Sequence, residues 1–407
     1  MSKAFAIGSA QPTGPKSGGV VVPCLVGGAA GWGLTAAGAG VASLTHAYGA
    51  DLVTIGLLTT VLAIVYAAMQ LPAGTLVDRF GPRPIALAGL TLVVLAYLAA
   101  AVAPELMVAV VARAVAGAGS AVGFVAGAEI ARTSGAGPVG LGLFGGAAIG
   151  SGGIAVAVVP LLEPLLGWRS AWLSCAAVAV LAIVALALSR PTPRALGRAV
   201  AAAGSPSVLL DHELHRLSAI HAVTLGLGVV LSNWASTILQ QAWGLGAGTA
   251  AVLAGLILAT TIMSRPLGGH LVRKRPEWLP AIIKVSLVSC ALCCVALAFP
   301  STPTVVLLSV VALGTLSGLP FAGVLAAAQA RRPDRPATAV GLMNAYANAI
   351  IVAGTPLLGA AIQGSRVTVG LLVVAAVWLL PYVALPTSLG RSAPQSARPR
   401  PRPSAIP

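Results

Sequence analysis

Charge is scarce in this sequence. Asp, Glu, Lys and Arg make up 8% of its 407 residues, against about 25% in an ordinary soluble domain. Only 9 of them are acids, and an enzyme needs a clustered set of acids, bases or metal ligands. The one dense polar group, "DHELH" at 211–215, lacks a second ligand pair and reads as solvated linker. No Gly-rich phosphate loop of the Walker type occurs, so nucleotide hydrolysis is not the energy source. The cysteines Cys24, Cys175, Cys290, Cys293 and Cys294 all fall in apolar runs. They supply neither a disulfide framework nor a zinc site, and the Cys290 to Cys293 spacing reads as packing. No catalytic residue, metal or cofactor is expected.

What fills the chain instead is apolar: 57% of its positions are hydrophobic, in long runs without the alternation or amphipathic spacing of soluble folds. A helix crossing the roughly 30 Å hydrocarbon core of a bilayer needs about 20 such residues. Runs of that kind lie near 20–45, 54–77, 84–102, 106–130, 140–162 and 170–189, then 217–239, 248–272, 279–299, 304–329, 338–362 and 367–389. They are apolar on every side and about twice too long for the strands of a membrane β-barrel. The expectation is an all-α membrane protein of twelve transmembrane helices. It comprises a cytosolic tail (1–19), a six-helix bundle (20–190), a Pro- and Arg-bearing cytosolic linker (191–216), a second six-helix bundle (217–389) and a disordered basic tail (390–407). The first 19 residues are polar and the first run is too long for a signal peptide, so no cleavage is expected.

The net charge of +15 follows from where the cations stand. Counting loops from a cytosolic N-terminus puts Lys3, Lys16, Arg79, Arg83, Arg132, Arg190, Arg194, Arg198, Arg216, Arg273, Lys274, Arg275, Arg331, Arg332, Arg335, Arg391, Arg398, Arg400 and Arg402 inside, with only Arg169 and Arg366 outside. By the positive-inside rule both termini are cytoplasmic, in a multi-pass protein of the cell membrane. No basic, aromatic-interleaved face remains for nucleic acid. The expected partners are the lipid bilayer, a small solute and a coupling proton, with the chain acting as a monomer.

Two stretches repeat. "QLPAGTLVDR" at 70–79 aligns without gaps with "RPLGGHLVRK" at 265–274, matching Gly74 to Gly269, Leu76 to Leu271 and Val77 to Val272. Repeated bundles around a central pathway are the plan of transporter folds. Gly74, Asp78, Arg79, Gly81 and Arg83 resemble the loop motif of the major facilitator superfamily. So do Arg113 followed by Gly117, Gly119 and Gly123, the Gly-rich fifth span, and "GWRSAW" at 167–172. The resemblance implies two pseudo-symmetric six-helix bundles that rock about a central site. Asp78 ends an apolar run one turn beyond Gly74, which lets a neighbouring backbone come close. Asp78 is therefore expected to accept hydrogen bonds from a helix N-terminus across the interface and to pair with Arg83, with Gly74, Asp78, Arg79 and Arg83 forming a gate.

Most spans carry no charge, so the exceptions mark sites. Arg265 lies about 9 Å from the middle of its span, where a charge costs on the order of 2.5–3.5 kcal/mol on insertion scales. It is expected to face a substrate pathway, with Gln70 at the equivalent position of the first half. "RPLGG" at 265–269 resembles nitrate and nitrite porters of the superfamily, which carry arginine at both positions; Gln70 departs from that and points to a carboxylate or other organic anion. Arg113 resembles the fourth-helix arginine of the superfamily, whose roles are coupling, substrate binding or structural pairing. Asn233, Trp234, Asn344, Tyr346 and Asn348 offer hydrogen bonds and an aromatic wall to a solute. Glu129 and Lys284 stand at span ends, and His46, His221 and His270 read as interfacial. The resulting function is secondary active transport of a small polar or anionic organic solute by alternating access, the rival being a multidrug or metabolite exporter acting as a proton antiporter.

Overall fold

The computed structural model describes residues 19–189, residues 207–383 and Leu385. The expected tails at 1–18 and 390–407 and the first part of the linker lie outside the described residues. The first six rods are α1 (Val21–Ala39), which turns at Gly40 into a short α2 (Val41–Tyr48), then α3 (Leu52–Phe80), α4 (Pro82–Val102), α5 (Leu106–Thr133), α6 (Pro138–Leu166) and α7 (Ser170–Leu188). The second six begin with α8 (His212–His221), which runs through a π-helical stretch at Ala222–Leu227 into α9 (Gly228–Trp243). They continue with α10 (Ala247–Lys274), α11 (Leu279–Ala298), α12 (Pro303–Gly318) broken at Leu319 and Pro320 from α13 (Phe321–Arg331), α14 (Pro336–Gln363) and α15 (Val367–Val383). All the rods but the shorter, apolar α15 are long and apolar enough to cross a membrane. No strand occurs among the described residues.

Local chemistry sets the turns. Asp51 caps α3 by accepting from the Thr54 N–H at 2.7 Å, filling one of the orphan donors of a helix start. Gly81 stands at φ 90, a conformation that L side chains rarely adopt, and Pro82 then opens α4 from its first turn. This pair reverses the chain within one residue, which explains the Gly-Pro of the loop motif.

The linker is shorter than the sequence suggests. Helix α8 begins at His212, and Asp211 caps it by accepting from the Leu214 N–H at 3.2 Å. Asp211 also accepts from Arg331 Nε at 3.0 Å, tying the start of α8 to the end of α13. Burial works to raise the Asp211 carboxyl, but hydrogen bonds from Arg331 and the Leu214 N–H outweigh it and hold it below its usual range. "DHELH" is thus folded structure rather than solvated linker.

The rods α1 to α7 form one bundle and α8 to α15 the other, and the two meet chiefly where α3 crosses α14 and α6 crosses α10. Glycines make both crossings close. A Cβ on Gly74 would strike Ala337 and Thr338 of α14, and one on Gly269 would strike Pro138 and Val139 of α6. One turn along, Gly341 lies against the Gln70 carbonyl and Gly142 against the Arg265 carbonyl. The crossings are related as the two sequence repeats are. They lie toward the end of the molecule that carries Arg79, Arg83, Arg132, Arg273, Lys274 and Arg331, here termed the basic face. Toward the opposite face, which carries Arg169 and Arg366, Gly38 on α1, Ala42 on α2 and Asn233 and Gln240 on α9 are exposed. The bundles are joined most closely in the half toward the basic face, and these four residues are exposed in the other half.

Candidate functional site

Roughly 13 Å in from the basic ends of the helices, polar residues from both bundles meet in one buried layer. On the second bundle, His221 Nε2 lies 3.1 Å from Asn344 Oδ1. The His221 ring is tilted against Phe321 with centroids 5.7 Å apart. The Arg265 guanidinium carbon stands 4.0 Å over the other side of that aromatic, a cation–π geometry. Arg265 Nη1 also donates across the seam to the Gly145 carbonyl at 2.8 Å. The Phe321 ring occupies the space that a side chain at Gly145 would need.

On the first bundle, Gln70 extends from α3. Side chains tilt toward a helix's N-terminus, so Gln70 leans away from the basic face and toward Asn344, one turn from the Gly341 that touches its carbonyl. Tyr66, one turn back, brings its hydroxyl beside the Gln70 amide without reaching hydrogen-bond geometry. Its ring packs on Phe124 at 6.3 Å, and Phe124 on Phe144 at 4.9 Å. Ser120 lies one turn before Phe124 on the same side of α5.

The layer is underpartnered. Gln70, Ser120, His221, Arg265 and Asn344 are each at most 3% exposed, yet both amide atoms of Gln70, Ser120 Oγ, His221 Nδ1, Arg265 Nε and Asn344 Nδ2 have no hydrogen-bond partner. Each such buried group costs about 1–3 kcal/mol, and these are polar atoms of the kind a solute satisfies. No carboxylate pairs with Arg265 among the described residues: Asp78 and Glu129 sit near the basic face and Glu163 near the opposite one. Glu129 is buried and held by Arg132 at 2.7 and 2.6 Å.

Between the layer and the basic face, Asp78 joins the two bundles. Asp78 Oδ1 accepts from the Ala337 N–H at 3.0 Å, and Oδ2 from the Thr338 N–H at 2.8 Å and the Thr338 hydroxyl at 2.6 Å. These donors open α14, where the helix dipole favours an anion. Arg83 does not pair with Asp78. Its guanidinium donates to the Ser189 and Ala187 carbonyls at 2.7 and 3.0 Å, serving the orphan acceptors at the end of α7. Arg79 is exposed and stacks on Phe80. The position matching Asp78 in the second repeat is Arg273, and the start of α6 is met by the close backbone approach of Gly269. Among the described residues the carboxylate cap belongs to the α3–α14 crossing.

Other expected residues stand elsewhere. Arg113 is enclosed within the first bundle, donating to the Leu58 carbonyl at 2.9 Å, the Gly33 carbonyl at 2.6 Å and the Tyr97 hydroxyl at 3.0 Å, so it ties four helices together away from the layer. Trp234 turns out of the pathway: its Nε1 donates to the Thr355 carbonyl at 2.8 Å and its ring packs on Gly359. The Tyr346 hydroxyl reaches back to His215 Nδ1 at 2.9 Å, while His215 Nε2 donates to the Leu209 carbonyl; Tyr346 is no cavity wall. Asn348 donates to the Asn344 carbonyl at 2.8 Å, and Asn233 is exposed toward the open half. Sequence reasoning missed Phe321, Ser120 and Thr338, and it placed His221 at an interface because it began that helix too late. No group of His, Cys, Asp and Glu among the described residues is arranged to hold a metal ion.

Comparison with known proteins follows the same lines. Among curated proteins no sequence matches. Solved structures share the fold: the proton:xylose symporter XylE aligns at TM-score 0.73 and 14% identity over 93% of this chain and 97% of its own. The human organic anion transporter MFSD10 aligns at 0.71 and 15% over 92% and 99%, and the E. coli fucose:proton symporter FucP at 0.67 and 15% over 89% and 97%. The sequence profile of the Major Facilitator Superfamily matches residues 23–355. The long apolar helices of the described residues, the glycine-lined crossings and that match over most of the chain together make it a member of the Major Facilitator Superfamily, a multi-pass membrane transporter and not an enzyme.

Proposed function

We propose that this protein moves a small polar or anionic organic solute across the cell membrane by alternating access, with the polar layer as its binding site. The basic face is then cytoplasmic by the positive-inside rule, and the close crossings lie on the cytoplasmic side of the layer. The solute enters from the opposite side as the layer opens and meets Arg265, Gln70, His221 and Asn344. The Asp78 gate below keeps the cytoplasmic side shut until the bundles rock and the α3–α14 and α6–α10 crossings part.

One observation carries this reading: a guanidinium, 3% exposed, sits at the seam between the bundles without a carboxylate. A buried cation held only by one carbonyl and an aromatic face is costly unless an anion joins it. An exporter of cationic drugs needs an acid in the same place, and among the described residues none faces the layer. Any coupled proton would be carried on His221, the layer's titratable side chain apart from Arg265.

Arg265→Gln tests it, because glutamine keeps a donor and removes the charge. Uptake of labelled small organic anions into proteoliposomes is expected to fall by about 10- to 100-fold, the worth of a charge-assisted hydrogen bond, with a folded protein retained. Transport equal to wild type overturns the role.

A further inference from the structure

The layer holds more than a cation, and its other unpartnered atoms divide by chemistry. Arg265 Nε, Asn344 Nδ2 and Gln70 Nε2 are donors; Gln70 Oε1 is an acceptor; the Ser120 hydroxyl is both. His221 pairs through Nε2 with the Asn344 amide, and its Nδ1 has no partner, donating or accepting according to the tautomer. A carboxylate satisfies donors only. It offers nothing to Gln70 Oε1, which is fully buried.

We infer that the solute is a hydroxylated monocarboxylate: one anionic end on Arg265 in the second bundle, and a hydroxyl end that both donates and accepts among Gln70, Ser120 and His221. The inference rests on the anion reading above and narrows it. A hydroxyl supplies the donor that Gln70 Oε1 needs and takes a hydrogen bond from the Gln70 or Ser120 donors. A dicarboxylate brings a second charge, and Arg113, also buried, stands away from the layer against Leu58, Gly33 and Tyr97. An inorganic anion such as nitrate carries no donor at all. Arg265 belongs to the second bundle and Gln70 and Ser120 to the first, so a solute that bridges them links the closed crossings to its own presence.

The test is a matched set of acids on the full-length protein in nanodiscs: butyrate, γ-hydroxybutyrate and succinate, with the six-carbon set hexanoate, ε-hydroxyhexanoate and adipate to cover a longer reach. Relative affinity is read from thermal stabilisation across concentrations. In at least one set the hydroxy acid is expected to bind about tenfold tighter than both its partners, the worth of one or two neutral hydrogen bonds. Gln70→Leu is expected to erase most of that preference, and Ser120→Ala, a smaller change, to reduce it. A dianion that binds as well as the hydroxy acid overturns the inference. So does a preference that survives both substitutions, or a wild-type protein stabilised by none of the acids. The transport loss of Arg265→Gln is measured separately, so the anion reading stands or falls apart from this one.

Discussion

Replacing Gly74 with valine is expected to abolish transport and leave the protein open at its basic face. A Cβ at that position falls 2.5 Å from Thr338 Cα and 2.6 Å from the Ala337 carbonyl oxygen. Those neighbours are backbone atoms of a helix, which cannot yield as the end of a flexible side chain does. Overpacking of this kind typically costs about 1–3 kcal/mol. Here the whole penalty falls on the state in which α3 and α14 touch, because parting the bundles relieves it. A conformational equilibrium biased by that much shifts by roughly 5- to 150-fold, and valine's two methyl groups add to the clash. Gly269→Val is expected to do the same through Pro138 and Val139 at the crossing of α6 and α10. The check is the labelling of Ala73→Cys by a membrane-impermeant thiol reagent in a Cys24→Ser background, applied from the basic side. Ala73 is fully buried beside Gly74, so labelling rises when the crossing opens. Wild-type transport by Gly74→Val would show that the cycle does not need this contact.

The same glycines show what a sequence of this kind discloses. In spans apolar on every side, periodicity cannot separate the lipid face from the seam, and only the exceptions speak. Gly74 and Asp78 speak through spacing and repetition, and the helix count and the family follow from run lengths and the loop motif. Arg265 speaks through the cost of a charge in hydrocarbon. Trp234 and Tyr346 do not: each is an amphipathic ring that suits a cavity wall or a helix contact equally well, and only packing against Gly359 or His215 decides. Arg113 and Arg265 look alike in sequence, since both are single arginines in apolar helices. Their difference is that α5 runs beside Gly33, Leu58 and Tyr97, which enclose the first, while α10 lies at the seam. His221 was hidden by a boundary. With α8 starting at His212 rather than at 217, the histidine lies about two and a half turns inside the helix, level with Asn344. Phe321 carries no polar signal, and its place under Arg265 depends on the break at Leu319 and Pro320, where the proline removes a backbone donor and interrupts the helix.

The carboxylate gate yields the other large effect, and Asp78→Asn isolates it without changing side-chain size. Both carboxylate oxygens of Asp78 face donors: the Ala337 N–H on one, the Thr338 N–H and hydroxyl on the other. An amide can turn its oxygen toward one set, but its NH2 then confronts a donor on the other. The negative charge at the positive end of α14 is lost as well, a contribution of about 0.3–1 kcal/mol at exposed sites and up to about 2 when partly buried. Hydrogen bonds to charged groups contribute about 1.5–3 kcal/mol each and do not add fully. Loss of the set is therefore on the order of 3–5 kcal/mol, and the closed state loses about 10²- to 10³-fold or more in relative population. Amide hydrogen exchange reports this directly, since the Ala337 and Thr338 N–H groups open α14 and have no partner within their own helix. In Asp78→Asn their exchange is expected to accelerate by that factor, with transport falling as the basic face fails to stay shut. Arg83→Gln is the discriminating control. Arg83 serves the Ala187 and Ser189 carbonyls at the end of α7, so its loss is expected to leave Ala337 and Thr338 protected. If Arg83→Gln exposes those amides as Asp78→Asn does, the gate is an ion pair after all; if neither does, α14 is held by its glycine crossing, and the carboxylate is not what keeps the basic face closed.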